Sequence, residues 1–254
     1  MAPDTVYVYG VVPVSEKLSI STKGVEDGDV GVVEHAGLAA LTSRFGGDSL
    51  TAARDVRAHW RVLEEAFQQT PVLPLRFGTV LESEEAVRIQ LLEPNLDYLN
   101  ELLAAIRGRV QLNLKGSYNE EQLLREIVRE SAQVRALRER LEGSPDDARS
   151  YGERVRLGEL VAAEFARRRD ADTRRVLAAL EPLAVATRQE ELRNEHAVFS
   201  LAFLVERKGQ EKFDQAVGEL RQELGRRMEL RYVGPLVPFS FAEADLTSGS
   251  PAWA

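Results

Sequence analysis

The chain has 254 residues, more than one average domain, so its length favours two domains. Hydrophobic residues make up 44% and charged residues 29%, a balance that excludes a disordered chain. The net charge of -8 argues against general affinity for nucleic acid, and the absence of cysteine excludes disulfides, thiolate metal sites and a cysteine nucleophile.

The composition also bears on the cellular compartment. The longest apolar run, 197–205, is interrupted by Ser200 and is far shorter than the roughly 20 residues that span a bilayer. A chain without cysteines fits a reducing compartment. We therefore expect a cytoplasmic protein without a transmembrane segment.

The N-terminal region predicts three strands. Residues 5–12 alternate between tyrosine and aliphatic side chains and stop at Pro13, which is typical of a strand. Two short candidate strands, 31–36 and 38–43, are separated by Gly37. That spacing predicts a hairpin.

A helix is predicted over 50–69. Val56, Trp60, Leu63 and Phe67 recur in it at spacings of four, three and four, which is the periodicity of one helix face. We expect this face to point into the core.

The segment 72–80, Val-Leu-Pro-Leu-Arg-Phe-Gly-Thr-Val, is unusual for a core strand. Proline removes a ladder donor and glycine weakens a strand interior, so the segment is predicted to form an edge or a bend. If Leu75 and Phe77 face the core, Arg76 points the other way. An ion pair within the chain is the simpler expectation for its guanidinium, and contact with a partner is the alternative.

The second half of the chain predicts alternating strands and helices. The predicted order is strand 109–118, helices over 119–141 and 151–188, strand 194–206, helix 210–227 and strand 228–233. This β-α-β-α-β order is close to the split βαβ arrangement of ferredoxin-like domains. The fold class is therefore predicted to be α+β, with an N-terminal α+β domain over 1–107 and a ferredoxin-like domain with extra long helices over 108–236.

The C-terminal segment contains Gly234-Pro235 and Pro238, followed by Phe239 and Phe241. Two prolines so close together do not fit a central strand. We predict an extended tail over 237–254 that runs along a surface, with both phenylalanines in apolar grooves of this chain or of a partner.

Motifs for catalysis or metal binding are scarce. The histidines are His35, His59 and His196, and none has metal-ligand spacing. Each imidazole is therefore expected to be hydrogen-bonded within the chain or exposed to solvent. Nucleophile elbows, phosphate loops and dinucleotide fingerprints do not occur. Carboxylates are abundant and no particular pair stands out, so the sequence does not exclude a catalytic carboxylate pair. No cofactor and no metal are predicted.

The densest basic cluster is Arg167-Arg168-Arg169 with Arg174 and Arg175. Asp170 and Asp172 dilute its charge, and Phe165 is the one aromatic residue close by. A nucleic-acid interface would combine positive charge with neighbouring aromatics. A solvated helix face is therefore the favoured interpretation.

Four segments, in this order and spacing, resemble the gas vesicle F/L protein family. They are Val6 to Val12, Leu73 to Thr79, Phe203 to Arg207 and Gly234 to Phe241. The resemblance spans nearly the whole chain. It implies a two-domain α+β fold with a ferredoxin-like second domain.

The resemblance also implies a non-enzymatic accessory or minor structural role in gas vesicle formation. Such a protein would bind the small hydrophobic shell protein, limit its aggregation, support vesicle nucleation and assembly, and associate with gas vesicles and other accessory proteins, with no nucleic acid or lipid membrane as partner. We expect Leu75, Arg76, Phe77, Phe239 and Phe241 to contribute to the partner surface. Two alternatives stay open: a small-molecule enzyme on a ferredoxin-like domain and a nucleic-acid-binding module.

Overall fold

The computed structural model describes residues 5–47, 50, 53–143, 148–192 and 197–242. The first elements are β1 (Val6–Pro13), β2 (Gly31–His35), β3 (Leu38–Arg44), α1 (Ala53–Gln69), β4 (Leu73–Pro74), β5 (Val80–Leu81), α2 (Glu84–Ala86) and α3 (Leu96–Ile106). The later elements are β6 (Arg109–Tyr118), α4 (Glu120–Glu130), α5 (Ala132–Leu141), α6 (Ala148–Leu180), β7 (Ala186–Gln189), β8 (Ala197–Glu206), α7 (Gln210–Leu224), β9 (Met228–Leu236) and α8 (Phe239–Ala242).

The chain divides into two compact units. The first takes in the described parts of Met1–Gln111 and Gly234–Ala254, and the second those of Leu112–Val233. Each unit contains both helices and an antiparallel sheet, so the α+β class is confirmed. None of the described helices is both long and apolar enough to cross a bilayer.

The sheet of the first unit has the order β2-β3-β1-β4, and β5 also pairs with β1. β2 and β3 pair antiparallel as the predicted hairpin. Val6 and Val8 of β1 belong to the core layer that contains α3, whereas Tyr7 and Tyr9 belong to the layer that contains α1. The alternation of β1 therefore places the sheet between two helical layers.

A bulge in β1 changes this alternation. Val8 lies opposite Thr42 and Gly10 opposite Leu41, which leaves Tyr9 as an extra residue. An added Cβ at Gly10 would lie 2.6 Å from the Leu73 carbonyl oxygen. Glycine at this position lets the backbone of β1 approach its neighbours closely.

The predicted core face of α1 is partly wrong. Leu63 is fully buried, but Val56 and Trp60 are 38% and 40% exposed. His59 is buried on the side that faces the tyrosines of β1. Because β1 presents phenol groups to α1, a polar imidazole fits the centre of this helix face, and the indole of Trp60 lies at its margin.

The second unit has the strand order β7-β8-β6-β9. The predicted helix over 151–188 is wrong in its last part, since α6 ends at Leu180 and β7 follows. Pro182 cannot continue an α-helix, and the Val185 N–H donates to the Leu204 carbonyl at 2.7 Å. The chain therefore enters a short edge strand before β8.

A buried ion pair connects elements of the second unit. Asp172 of α6 is only 6% exposed. It accepts hydrogen bonds from the Tyr118 hydroxyl at 2.8 Å and from the Arg227 guanidinium at 2.5 Å. Burial, together with the hydrogen bond to Asp172, raises the pKa of Tyr118, so its phenol remains a donor.

The basic cluster of α6 pairs with carboxylates. Arg167 contacts Glu164 on the same helix, and Arg175 contacts Glu223. The Arg168 side chain is 12% exposed and donates to Glu130 at 2.8 Å. Arg167, Arg169, Arg174 and Arg175 are exposed, as expected of a solvated helix face, whereas Arg168 departs from that expectation. The ion pairs lower the positive charge of the cluster.

The predicted extended tail is wrong for Phe239–Ala242, which forms the single helical turn α8. The Phe241 N–H donates to the Pro238 carbonyl at 3.0 Å. The turn buries Phe241 and Ala242 while α8 packs on α3 and β4. Residues 243–254 of the predicted tail lie outside the described residues.

Candidate functional site

The Leu-Pro-Leu-Arg-Phe-Gly-Thr segment runs along β1 and is looped out in its middle. The Leu75 N–H donates to the Tyr9 carbonyl at 2.9 Å, and the Val8 N–H donates to the Thr79 carbonyl at 2.9 Å. Residues 76–78 lie between these two hydrogen bonds and form the loop. The predicted bend is confirmed here.

The loop is closed by hydrogen bonds of its own residues. The Thr79 N–H and hydroxyl both donate to the Arg76 carbonyl, at 3.2 and 2.7 Å. Gly78 has a φ of 92°, in the region that favours glycine, and its N–H donates to the Tyr7 hydroxyl at 3.1 Å. The order Arg, Phe, Gly, Thr therefore fits the geometry of this turn.

The three side chains at the loop point in different directions. Leu75 is 2% exposed and joins the layer of α3, whereas Phe77 is half-buried against the layer of α1. Arg76 is exposed. Among the described residues its guanidinium forms no ion pair, so the expected intrachain partner is not found there.

Beneath the loop lies a buried pair formed by Tyr7 and His59. The Tyr7 hydroxyl is 2.8 Å from His59 Nδ1, and the Phe77 ring contacts the imidazole edge-on with centroids 5.7 Å apart. Burial lowers the pKa of His59 to about 4, and the Leu75 carbonyl opposes this shift only in part. The imidazole is therefore neutral near pH 7, and a hydrogen bond joins its Nδ1 to the Tyr7 hydroxyl.

Acid is expected to destabilise the first unit through His59. Its pKa is about 4 in the folded protein and 6.5 in the unfolded chain, so the unfolded chain takes up the proton first as the pH falls. The contribution of the neutral, buried imidazole to the free energy of unfolding is fully present above about pH 6.5. It declines as the pH falls towards 4, by at most about 3 kcal/mol. Urea unfolding of the parent between pH 7 and pH 4 should show this loss.

The His59→Gln variant should lose less stability than the parent over the same pH range, because it has no imidazole to protonate. His35→Gln is the matched control, since His35 lies half-exposed on β2. It should follow the parent. Equal pH slopes for His59→Gln and the parent would contradict the assignment.

The C-terminal turn contacts α1 next to His59. The rings of Trp60 and Phe239 have centroids 4.1 Å apart and an interplanar angle of 42°. Gln111 holds the turn through its amide, which accepts from the Ser240 N–H at 2.8 Å and donates to the Ser240 hydroxyl at 3.0 Å. The tail residue Phe239 is half-buried, whereas Phe241 is 4% exposed.

Helix α1 thus brings the two predicted segments into one unit. His59 contacts Phe77, and its neighbour Trp60 contacts Phe239. We use the term aromatic surface for Trp60, Phe77 and Phe239 with the exposed Arg76. Leu75 and Phe241 are buried and do not form part of this surface.

Sequence reasoning missed Trp60, Tyr7 and His59 as parts of the site. Trp60 was assigned to the core, and the alternating tyrosines of β1 were used only to predict a strand. One sequence signal could have indicated them. His59 and Trp60 are adjacent in the predicted helix over 50–69, and the predicted strand over 5–12 carries tyrosines that could bond to an imidazole. His196 lies outside the described residues.

The arrangement offers aromatic and guanidinium contacts to another chain. Within the described part of the chain, no group of three histidine or carboxylate side chains is placed to hold a metal ion. Aromatic side chains and arginine are the residue types that dominate binding energy at protein interfaces. The aromatic surface consists of these residue types.

Comparison with known proteins gives consistent matches. The family model of gas vesicle synthesis protein GvpL/GvpF matches residues 5–243. Gas vesicle protein F of Streptomyces sp. (strain CB03234) is 32% identical over 240 residues, with 93% of this chain and 99% of that protein covered. Gas vesicle protein F of Nostoc sp. (strain PCC 7120) is 26% identical, with 93% of this chain and 97% of that protein covered.

A solved structure shares the fold as well. The crystal structure of the gas vesicle protein GvpF from Anabaena sp. PCC7120 superposes with a TM-score of 0.84 at 25% identity. The match covers 95% of this chain and 99% of that chain.

Proposed function

Because this chain belongs to the gas vesicle synthesis protein GvpL/GvpF family, we propose that it acts in gas vesicle formation by binding the small hydrophobic shell protein. It is a cytoplasmic, non-enzymatic accessory or minor structural protein. It limits aggregation of the shell protein, supports vesicle nucleation and assembly, and works with other gas vesicle proteins.

The observation that supports this proposal is the aromatic surface on the first unit. It combines the 40% exposed Trp60 with a half-buried Phe239 and an exposed Arg76. Arg76 and Phe239 lie in segments by which the chain resembles its family. Rigid aromatic rings bury apolar area with little loss of conformational entropy. Such a surface suits a hydrophobic partner.

The physical need for such a partner is clear. A shell protein that packs into a wall must expose apolar and edge-pairing surfaces before assembly, and such surfaces aggregate. A chain with a net charge of -8 keeps itself dissolved by self-repulsion. A complex of the two can therefore remain dispersed until the wall grows.

We further propose that the second unit is a ferredoxin-like domain with extra long helices. With β7 added, its elements follow the order β-α-β-β-α-β, which supports this assignment. We keep the domain limits proposed from the sequence, 1–107, 108–236 and 237–254. With these limits the C-terminal turn α8 belongs to the tail, and the described part of the tail packs within the first unit.

Co-purification with the co-expressed shell protein tests the binding proposal. Arg76→Glu and Trp60→Ala should each lower recovery of the shell protein at least about tenfold, the effect of losing roughly 1.4 kcal/mol of binding free energy. Both side chains are exposed, so folding should persist, which circular dichroism can verify. Phe241→Ala is unsuitable because Phe241 is buried.

Arg88→Glu and Ile89→Ala are the matched controls, because Arg88 is half-exposed, Ile89 is exposed and both lie outside the aromatic surface. They should retain the shell protein. Folded Arg76→Glu and Trp60→Ala variants that recover it at the parental level would overturn the proposed contact surface. Deletion of the chain in its host tests the wider role, since normal vesicles without it would contradict a function in their formation.

A further inference from the structure

The second unit carries an apolar groove between α4, α5 and α6. Its volume is about 580 Å³. Leu124 and Val128 line one wall, Leu157 and Val161 line the other, and Val134 of α5 also contributes. Leu124 is 43% exposed, so part of this apolar lining is open to solvent.

The two long walls have the geometry of helix faces. Both repeat the i, i+3, i+4, i+7 spacing, at positions 121, 124, 125 and 128 of α4 and at 154, 157, 158 and 161 of α6. Residues 121 to 128 rise about 10 Å along a helix, so each wall offers about two turns of contact. This length suits a short helical segment laid between them.

The charged groups of the groove are mostly positive. Arg125, Arg138 and Arg154 contribute to its lining, whereas Glu121 is the one carboxylate among the described lining residues and pairs with Arg125. The whole chain is acidic, so this excess of guanidinium groups is a local feature. It complements an acidic partner.

Gly158 leaves space in one wall of the groove. Glycine inside a helix costs about 1 kcal/mol relative to alanine. Apart from the neighbouring backbone of α6, no atom of the described residues lies within 4 Å of a Cβ built at Gly158, so packing in the described part of the chain does not require glycine there. A larger side chain would narrow the groove that Gly158 lines.

We propose that this groove binds an amphipathic helix of a partner protein, with acidic residues bordering its apolar stripe. The walls are helices whose backbone groups are already bonded, so an extended strand would find no edge to pair with. A helix brings its own backbone hydrogen bonds and needs only side-chain contacts. The groove lies in the second unit and does not include the aromatic surface, so the proposal stands independently of shell-protein binding.

Fluorescence anisotropy with two labelled peptides of about 14 residues tests the proposal, a length at which isolated helices become stable. Both carry leucine along one face, bordered by glutamate in one peptide and by lysine in the other. The full chain should bind the glutamate peptide more tightly. Gly158→Leu should weaken this binding at least about tenfold, and Gly152→Leu should not, because Gly152 lies in α6 outside the groove lining.

Charge reversal provides a second test. The double variant Arg138→Glu with Arg154→Glu should bind the glutamate peptide more weakly and the lysine peptide more tightly than the parent does. Arg174 is exposed elsewhere on α6, so Arg174→Glu should change the affinity for neither peptide. Absence of binding to the glutamate peptide, or equal binding by the parent and Gly158→Leu, would overturn the proposal. Self-association that Gly158→Leu abolishes would assign the groove to a second copy of this chain and overturn it as well.

Discussion

Replacement of Asp172 by alanine is expected to lower the free energy of unfolding of the second unit by about 3–5 kcal/mol. Asp172 is 6% exposed and accepts from both Tyr118 and Arg227. Its removal leaves a phenol and a partly buried guanidinium without their acceptor. Urea unfolding followed by the helical circular dichroism signal measures the loss, and hydrogen exchange of peptides from 112–233 locates it.

Asp170→Ala is the matched control for this experiment. Asp170 lies two residues earlier on α6 and is exposed, so its loss should change stability by less than about 0.5 kcal/mol. Tyr118→Phe should have an intermediate effect of about 1 kcal/mol, since it removes one hydrogen bond and keeps the ring. If Asp172→Ala were as mild as the control, the pair would not stabilise the unit.

Replacement of Gly10 by valine should destabilise the first unit by more than about 3 kcal/mol, at the upper end of the range for overpacked cores. A Cβ at this position would lie 2.6 Å from the Leu73 carbonyl oxygen and 2.9 Å from Leu63 Cδ2. The first of these neighbours is backbone, so β1 and the segment before the loop must separate. Unfolding followed by the fluorescence of Trp60 reports on this unit.

Gly31→Val controls for the change in strand propensity. Gly31 lies in β2 of the same sheet, and among the described residues nothing beyond its chain neighbours lies within 4 Å of a Cβ built there. Valine favours strands, so this variant should be neutral or slightly more stable. A Gly10→Val protein as stable as Gly31→Val would mean that β1 tolerates a side chain at its bulge.

The sequence predicted elements best where a single periodicity decided the outcome. β1 follows the alternation of tyrosine and aliphatic residues, and the hairpin of β2 and β3 follows from two short candidate strands separated by Gly37. The bend at 76–78 follows from a proline and a glycine that a regular strand does not accommodate. These features depend on local backbone chemistry, which is why they are visible without knowledge of the neighbours.

Features that depend on neighbouring elements were predicted poorly. The exposure of Trp60 depends on the phenol groups that β1 presents to the adjacent His59. β7 follows α6 so closely that its four residues looked like the end of a helix, and only pairing with β8 defines it. The turn at Phe239–Ala242 forms because burial of Phe241 outweighs the extended preference of a proline-rich segment.

The candidate site shows the same division. Arg76, Phe77 and Phe239 are site residues proposed from unusual sequence chemistry, but their relation through α1 is not visible in the sequence. That relation requires the contacts of His59 and Trp60, two adjacent residues that each meet a segment distant in sequence. Motifs therefore identified the segments, and tertiary packing showed how helix α1 connects them.

The looped-out residues 76–78 also determine how this side of the sheet can meet other chains. β4 and β5 have only two residues each, and the loop separates them along β1. A foreign strand cannot extend a ladder that is broken after two residues. This border of the sheet therefore offers no continuous edge for strand addition, so another chain could contact it only through side chains.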